Sequence, residues 1–288
     1  MAIDEAMALT QEMLTQAQAL SAVIARLRLE EMGAHGDPVQ RAQLERVVDA
    51  LGARGPLDAL TPDERSIVVA FTRSYLKQAL DLVEQPERAG AWTHDDPVLL
   101  QAQGRASAVV ATLMLEAGVG RPGARILDIG AGVAGLAIAL CSAFPQATVV
   151  GLDPWEPALS LARQNVEGAG LADRVTLHAT VIEQYDDPNG FDLVWLPSFF
   201  VPDSVIDLAL ARVLRMLRPG GHIVVGVLDG PDDSLAGIID ALVTARSGGA
   251  LLTPADAVAR LAAAGYAHTR EVPRTWKAPL RLAVGERR

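Results

Sequence analysis

The sequence predicts an α/β fold with a mostly parallel sheet, led by a helical region. Three observations carry this prediction. The apolar periodicity changes near residue 120, short β-branched runs alternate with helical segments from Arg125 onward, and a glycine-rich turn follows the first of those runs. The chain has 288 residues, 50% of them hydrophobic and 21% charged, which is enough apolar mass for a large core and excludes a disordered chain. At roughly 150 residues per domain, that length holds about two domains. We divide it into a helical cap or dimerisation region over 1–95 and a sheet domain over 96–288.

The helical region is read from its breakers. No Gly or Pro falls between Asp4 and Glu31, and Met13, Ala17, Leu20, Ile24 and Leu27 recur at helical spacing on one stripe. That stripe offers a bundle contact or a homodimer contact. Gly33 and Gly36-Asp37-Pro38 end the segment, and a second helix is expected over Val39–Leu51. A third begins at Thr61-Pro62, with Thr61 as N-cap, and shows Val68, Phe71, Tyr75, Ala79 and Val83 along one face until Pro86. Asp96-Pro97 opens a fourth that runs to about Ala117.

Beyond Gly123 the expected strands are Arg125–Ile129, Ala147–Leu152, Val175–Ala179, Phe191–Leu196 and His222–Val227. Helices are expected over Val133–Ala143, Pro157–Glu167 and Ser204–Met216, which makes βαβ units with strands buried on both faces. Pro254–Ala264 reads as a last helix, capped by Thr253. His268–Val272 and Leu280–Gly285 follow as strands, and the short Pro273–Pro279 connection requires them to be antiparallel.

Composition removes several functions. With 25 Lys+Arg against 35 Asp+Glu the net charge is −10, which gives no counterion-release gain on nucleic acid. A single cysteine, Cys141, excludes an internal disulfide and a cysteine-rich zinc site, and is expected in the core. The five histidines form no HExxH-like pair, so no metal site is expected. The acidic start lacks a signal-peptide pattern, and no uninterrupted apolar stretch has bilayer-spanning length; a cytoplasmic protein with no membrane partner is the expectation.

The chemistry gathers at Ile126-Leu127-Asp128-Ile129-Gly130-Ala131-Gly132-Val133-Ala134-Gly135: strand, glycine turn, helix. Gly130 permits the turn, Gly132 a close ligand approach, and Gly135 close packing of the helix on the sheet. Alone, this turn fits a flavin or nicotinamide dinucleotide as well as a nucleoside. Two acids separate the readings. Asp128, two residues before Gly130, repels a pyrophosphate and attracts a cation; Asp153, ending the second strand, can accept both ribose hydroxyls. A ribose, a positive charge and no phosphate describe S-adenosylmethionine.

From about Gly104 onward the chain resembles the class I S-adenosylmethionine-dependent methyltransferases, of the small-molecule, natural-product tailoring type. The resemblance rests on the glycine turn, on Val149-Val150-Gly151-Leu152-Asp153-Pro154-Trp155, on Phe191-Asp192-Leu193-Val194-Trp195-Leu196-Pro197 and on Leu214-Arg215-Met216-Leu217-Arg218-Pro219-Gly220-Gly221. It implies a Rossmann-like seven-stranded sheet of order 3-2-1-4-5-7-6 with the last strand antiparallel. It also implies that Asp128 faces the methionine amino group, that Gly130, Ala131 and Gly132 offer backbone to the methionine part, that Asp153 grips the ribose, and that Pro154 and Trp155 flank the adenine. The family's acid after the third strand is missing, so Thr180 and Val181 are assigned to the adenine, and Leu196 completes the cofactor set. Ala134 stands where the family's commonest loop has glycine.

A sulfonium methyl is already activated, so the protein's task is alignment, with a general base if the acceptor is a phenol. Beyond the fourth strand come Pro197, Phe199 and Phe200, a wall suited to a flat aromatic or heteroaromatic metabolite, methylated at O, N or an indole carbon. Trp92, Gln103 and Arg105 are assigned to the substrate, and His94 to the base. The Asn-Pro-Pro-aromatic motif of amide and adenine N-methyltransferases is absent. Two other functions share the turn: a flavin- or NAD(P)-dependent oxidoreductase, and a protein that binds the cofactor without catalysis and serves as a dimer or scaffold.

Overall fold

A computed structural model describes residues 2–228, 234–276 and 280–288; part of the Pro273–Pro279 connection therefore lies outside the described residues. The chain divides into two compact units, Met1–Glu84 and Gln85–Arg288. The division falls before the expected boundary at 95. Residues 85–95 join the second unit because Ala91 N–H bonds the Arg246 carbonyl and Arg88 and Arg246 exchange contacts with the same stretch.

The first unit holds α1 (Ala2–Glu31), α2 (Pro38–Ala50), the short α3 (Arg54–Asp58) and α4 (Pro62–Glu84). Its starts are chemically marked. Asp37 accepts from Gln40 N–H ahead of Pro38, and Thr61 and Glu64 form a reciprocal pair across the first turn of α4. Its small core joins Ile24 and Leu27 of α1 to Val69 of α4. Two expected faces are only partly used. Met13 and Leu20 of the α1 stripe are exposed, and α4 buries Val69, Ala70 and Ser74 while Phe71 and Val83 face outward. The helical period was right, but the buried register is rotated, because α4 carries apolar residues on more than one face. The buried Arg26 guanidinium is surrounded by Glu30, Glu45 and Asp58.

The second unit begins with α5 (Pro97–Glu116) and continues β1 (Arg125–Ile129), α6 (Gly135–Ala143), β2 (Thr148–Leu152), α7 (Glu156–Gly168), β3 (Val175–His178), β4 (Phe191–Pro197), α8 (Asp203–Met216), β5 (Leu217–Leu228), α9 (Leu235–Arg246), α10 (Pro254–Ala263), β6 (Ala267–Glu271) and β7 (Leu280–Glu286). The sheet order is β3-β2-β1-β4-β5-β7-β6, with β7 antiparallel to both neighbours, as the resemblance implied. Short 3-10 turns at Ile182–Gln184 and Ser198–Phe200, and the helix α9, were not expected. β5 is longer than expected because Leu217 already pairs with Phe191 before a register shift brings Leu193 opposite His222.

Both sheet faces are covered. Ile126, Val149, Leu193 and Trp195 point into a core shared with α5 and α6; Leu127, Ile129, Val194 and Leu196 point into one shared with α8 and α10. This is why these strands read as continuous apolar runs. Cys141 lies in the first core. By length and composition α5 alone among the described helices could cross a bilayer, although Gln101, Gln103 and Arg105 interrupt its apolar run. In this fold it is a core helix, burying Leu99, Leu100, Val110, Leu113 and Met114. Strand order reverses between β1 and β4, and the crevice beyond the carboxyl ends of those strands is where an α/β sheet binds its ligand.

Candidate cofactor and acceptor site

Asp128 stands at the reversal point. Its cross-strand neighbours are Gly151 on β2 and Trp195 on β4. It is 1% exposed, and neither carboxylate oxygen has a partner among the described residues. Burial, with the nearby charge of Asp153 second, pushes its carboxyl up to about 8. A buried acid without donors costs stability unless it holds a proton or something brings a donor to it. A structural acid bonded to loop amides does not describe Asp128.

It does describe Asp153. This carboxylate accepts from Gly132 N–H (2.8 Å) and Trp155 N–H (2.8 Å), so it already ties the glycine turn to the start of α7. Burial raises its pKa against the opposing pull of those two amides.

Four of the turn's amides are spent inside the protein. Gly130 and Ala131 both donate to the Leu152 carbonyl, Gly132 to Asp153, and Ala134 to the Ala131 carbonyl. A turn that cradles a pyrophosphate presents free N–H groups at a helix start; these four are not free, and α6 begins after them, at Gly135, with no side-chain cap. The expectation that Gly130, Ala131 and Gly132 offer backbone to a ligand is thereby narrowed to their carbonyl side. Gly132 adopts φ +54°, and a Cβ there would meet nothing within 4 Å, leaving the turn open on that side. Ala134 takes the left-handed φ 63° that usually needs glycine, and α6 starts only at Gly135. Gly135 answers to α5, not to the sheet: a Cβ there would lie 2.0 Å from the Gly104 carbonyl oxygen.

The remaining assignments separate. Thr180 N–H and Asp153 N–H share the His178 carbonyl, which brings Thr180 and Val181 beside Asp153. Pro154 is exposed and Trp155 half-buried next to it. Leu196 is corrected: it is wholly buried in the α8-side core and offers no side-chain surface to a ligand. Pro197 lies against the turn, its Cγ 3.4 Å from where a Gly130 Cβ would stand. Phe199 and Phe200 meet edge-on at 4.9 Å, Phe200 meets Trp92 at 5.2 Å, and Trp92 meets the His94 ring at 5.1 Å. Four of the five aromatic or imidazole residues chosen from the sequence therefore form one continuous wall with the end of β4, and Trp155 reaches the same wall through its indole N–H, which donates to the His94 carbonyl at 2.8 Å. Arg105 is exposed and Gln103 half-buried; α5 turns Gly104 toward the turn, where a Cβ would strike Val133. Sequence reasoning missed Gln101 and Asn165, which bond each other and, through Asn165, the Val133 carbonyl behind the turn. Nothing local in the sequence pairs residues 64 positions apart. Among the described residues no group of three metal-binding side chains occurs.

A family model described as a methyltransferase domain matches residues 126–221. Release factor glutamine methyltransferase of Rhodopirellula baltica is 32% identical over 113 residues, 39% of this chain and 36% of that protein. Demethylmenaquinone methyltransferase of Thermus thermophilus is 34% identical over 115 residues, 40% of this chain and 52% of that protein. The chain thus spans about half or less of these curated relatives. Among solved structures, the S-adenosylmethionine-dependent methyltransferase SibL in its apo form is similar with TM-score 0.67 and 22% identity, over 96% of this chain and 97% of that one. Human N-acetylserotonin methyltransferase in complex with SAM gives TM-score 0.66 and 15% identity, over 98% and 97%. Residues 126–221, which carry the glycine turn and both acids, thus match a methyltransferase-domain model, and the second unit shares its fold with solved methyltransferases.

Proposed function

We propose that the chain transfers a methyl group from S-adenosylmethionine to a small aromatic or heteroaromatic metabolite. The observation that carries the cofactor half is Asp128: a buried carboxylate without donors, beside a turn four of whose amides are committed. Such a site stabilises a cation and opposes a diphosphate, which argues against a flavin or nicotinamide. The residues fit the cofactor. Asp128 would counter its amino group, directly or through water, Asp153 would accept its ribose hydroxyls, and Thr180 and Val181 would border its adenine. When bound, S-adenosylmethionine supplies a methyl group already activated as a sulfonium.

The chain's own residues then align the acceptor. Trp92, Phe199 and Phe200 support a flat apolar molecule, and Pro197 limits its approach to the turn. Ser198 Oγ is spent on the Gly226 carbonyl, which leaves the His94 imidazole as the basic side chain of this wall. His94 would hold the proton released by a phenol. The chain reads Leu196-Pro197-Ser198-Phe199 where amide N-methyltransferases carry Asn-Pro-Pro-aromatic, so the likeness to a glutamine methyltransferase does not extend to its acceptor. A role in secondary metabolism, in the cytoplasm, is part of this reading. So is a homodimer built on the first unit, supported by the exposed Met7, Met13, Leu14, Phe71 and Val83. Titration calorimetry with S-adenosylmethionine, S-adenosylhomocysteine, NADPH and FAD tests the cofactor half; binding of either dinucleotide in place of the first two would overturn it.

A further inference from the structure

The two halves of the site are joined by one side chain. Trp155 is held at its backbone by Asp153 Oδ1, and its indole N–H holds the His94 carbonyl. Residues 88–94 form a strap toward Phe200. At one end the strap is clamped to the last turn of α9: Arg88 Nη1 donates to the Ala91 carbonyl, Ala91 N–H to Arg246, and Arg246 Nη1 to the Arg88 carbonyl. Gly90 seats there so closely that a Cβ would lie 2.2 Å from the Ala245 carbonyl oxygen. At the other end, 61 residues away in sequence, the Trp155 indole ties it to the cofactor acid.

We infer that Trp155 is a positioning residue that couples occupancy of Asp153 to the order of the acceptor wall, so that cofactor binding assembles the Trp92–His94 side of the acceptor pocket. This rests on the proposed function, which places ribose hydroxyls on Asp153. Each carboxylate oxygen can accept more than one hydrogen bond, so ligand hydroxyls join the Gly132 and Trp155 amides without displacing them. A carboxylate fixed by its ligand fixes the Trp155 backbone. The Trp155 side chain, packed against Leu100, Val133 and Ala158, carries that restraint to His94. The strap loses local freedom when the cofactor arrives, and an acceptor binding afterward pays less to order it. Cofactor-first binding follows.

The test needs no acceptor. Amide hydrogen exchange over residues 88–98 is measured in the full chain with and without S-adenosylhomocysteine, for the wild type, Trp155→Phe and His94→Ala. Phe keeps the packing and removes the indole donor; Ala keeps the carbonyl that the indole holds. In the wild type the ligand should slow exchange of this segment by about fivefold or more, the scale of one hydrogen bond. Trp155→Phe, measured at a saturating concentration of S-adenosylhomocysteine, should lose that protection. His94→Ala should retain it. Protection that survives in Trp155→Phe, or is lost in His94→Ala, overturns the coupling. A loss of ligand affinity beyond about tenfold in Trp155→Phe also overturns it, assigning the indole to the cofactor pocket itself. A wild type that binds no S-adenosylhomocysteine fails the functional reading first, and the coupling with it; failure of the coupling alone leaves that binding intact.

Discussion

Replacing Asp128 by Asn should make the ligand-free protein more stable at neutral to alkaline pH while impairing its cofactor site. Unfolded, this carboxyl titrates near its ordinary 3.8; folded, burial and then Asp153 push it up to about 8. Between those values the native state keeps a proton that the unfolded state has released. Stability therefore falls as pH rises through that window, and the loss is complete above about 8. The slope cannot exceed about 1.4 kcal/mol per pH unit, so the full window amounts to at most on the order of 6 kcal/mol, or roughly 10–25 °C in melting temperature for a domain of this size. Asn is nearly isosteric and does not titrate. Subtracting its melting curve, taken from pH 5 to 9 without ligand, from that of the wild type cancels the contributions of Asp153 and His222 and leaves the Asp128 term. With ligand the sign reverses. Bringing the cationic cofactor over Asp128 favours the charged form, so wild-type affinity should rise with pH toward 8, by up to about tenfold per unit. Asp128→Asn should bind S-adenosylmethionine more weakly and with little pH dependence. A wild type whose stability, relative to Asp128→Asn, holds or rises from pH 5 to 8 would refute the reasoning: the carboxylate would then be charged and supplied with donors inside the fold.

Three further outcomes are expected. Asp153→Ala removes both the ribose acceptor and the clamp on Gly132 and Trp155, and should weaken S-adenosylmethionine binding by about tenfold or more in titration calorimetry. Gly135→Ala forces a Cβ against the Gly104 carbonyl at 2.0 Å and should cost about 3 kcal/mol or more by denaturant unfolding; Gly168→Ala, at the end of α7 with nothing within 4 Å, should be neutral or stabilising by up to about 1 kcal/mol. Leu14→Glu with Phe71→Glu, both exposed on the first unit, should turn a dimer into a monomer in sedimentation velocity; a wild type that sediments as a monomer removes that part of the proposal.

What could be read from the sequence was whatever depends on local order. Asp128, Gly130 and Asp153 are legible as neighbours because a strand, a turn and the next strand end lie in consecutive segments, and chain order alone brings their tips together. The caps at Thr61 and Thr253 were legible because a cap is a contact over three residues. The errors have the opposite cause. Leu196 alternates on β4 with Trp195 and Pro197, and only the pleat decides which of them faces the helices of α8 and α10. Gly135 was assigned to the sheet because the glycine that it meets, Gly104, lies on a helix preceding β1. α9 followed a stretch rich in Gly, Asp and Pro and carries apolar residues such as Leu235 and Ile238 on its exposed side, so its pattern did not mark a buried face.

The glycine turn shows how the two kinds of information combine. As a pattern, Gly-x-Gly-x-x-Gly admits both signs of ligand, because glycine records only that the backbone must come close. The sign is set by what the backbone still has to give. Here the Leu152 carbonyl takes two amides of the turn and Asp153 a third, so the positive ends of those peptide dipoles are neutralised before any ligand arrives. What remains beneath the turn is an acid that lacks donors. The same atoms that hold the turn thus withdraw three of its amides from any phosphate. Asp153 is common to both effects: it quiets the turn through Gly132 and, through Trp155, reaches the strap that borders the acceptor. A dinucleotide enzyme would have to leave those amides free, and it would gain nothing from a second carboxylate sealed below them.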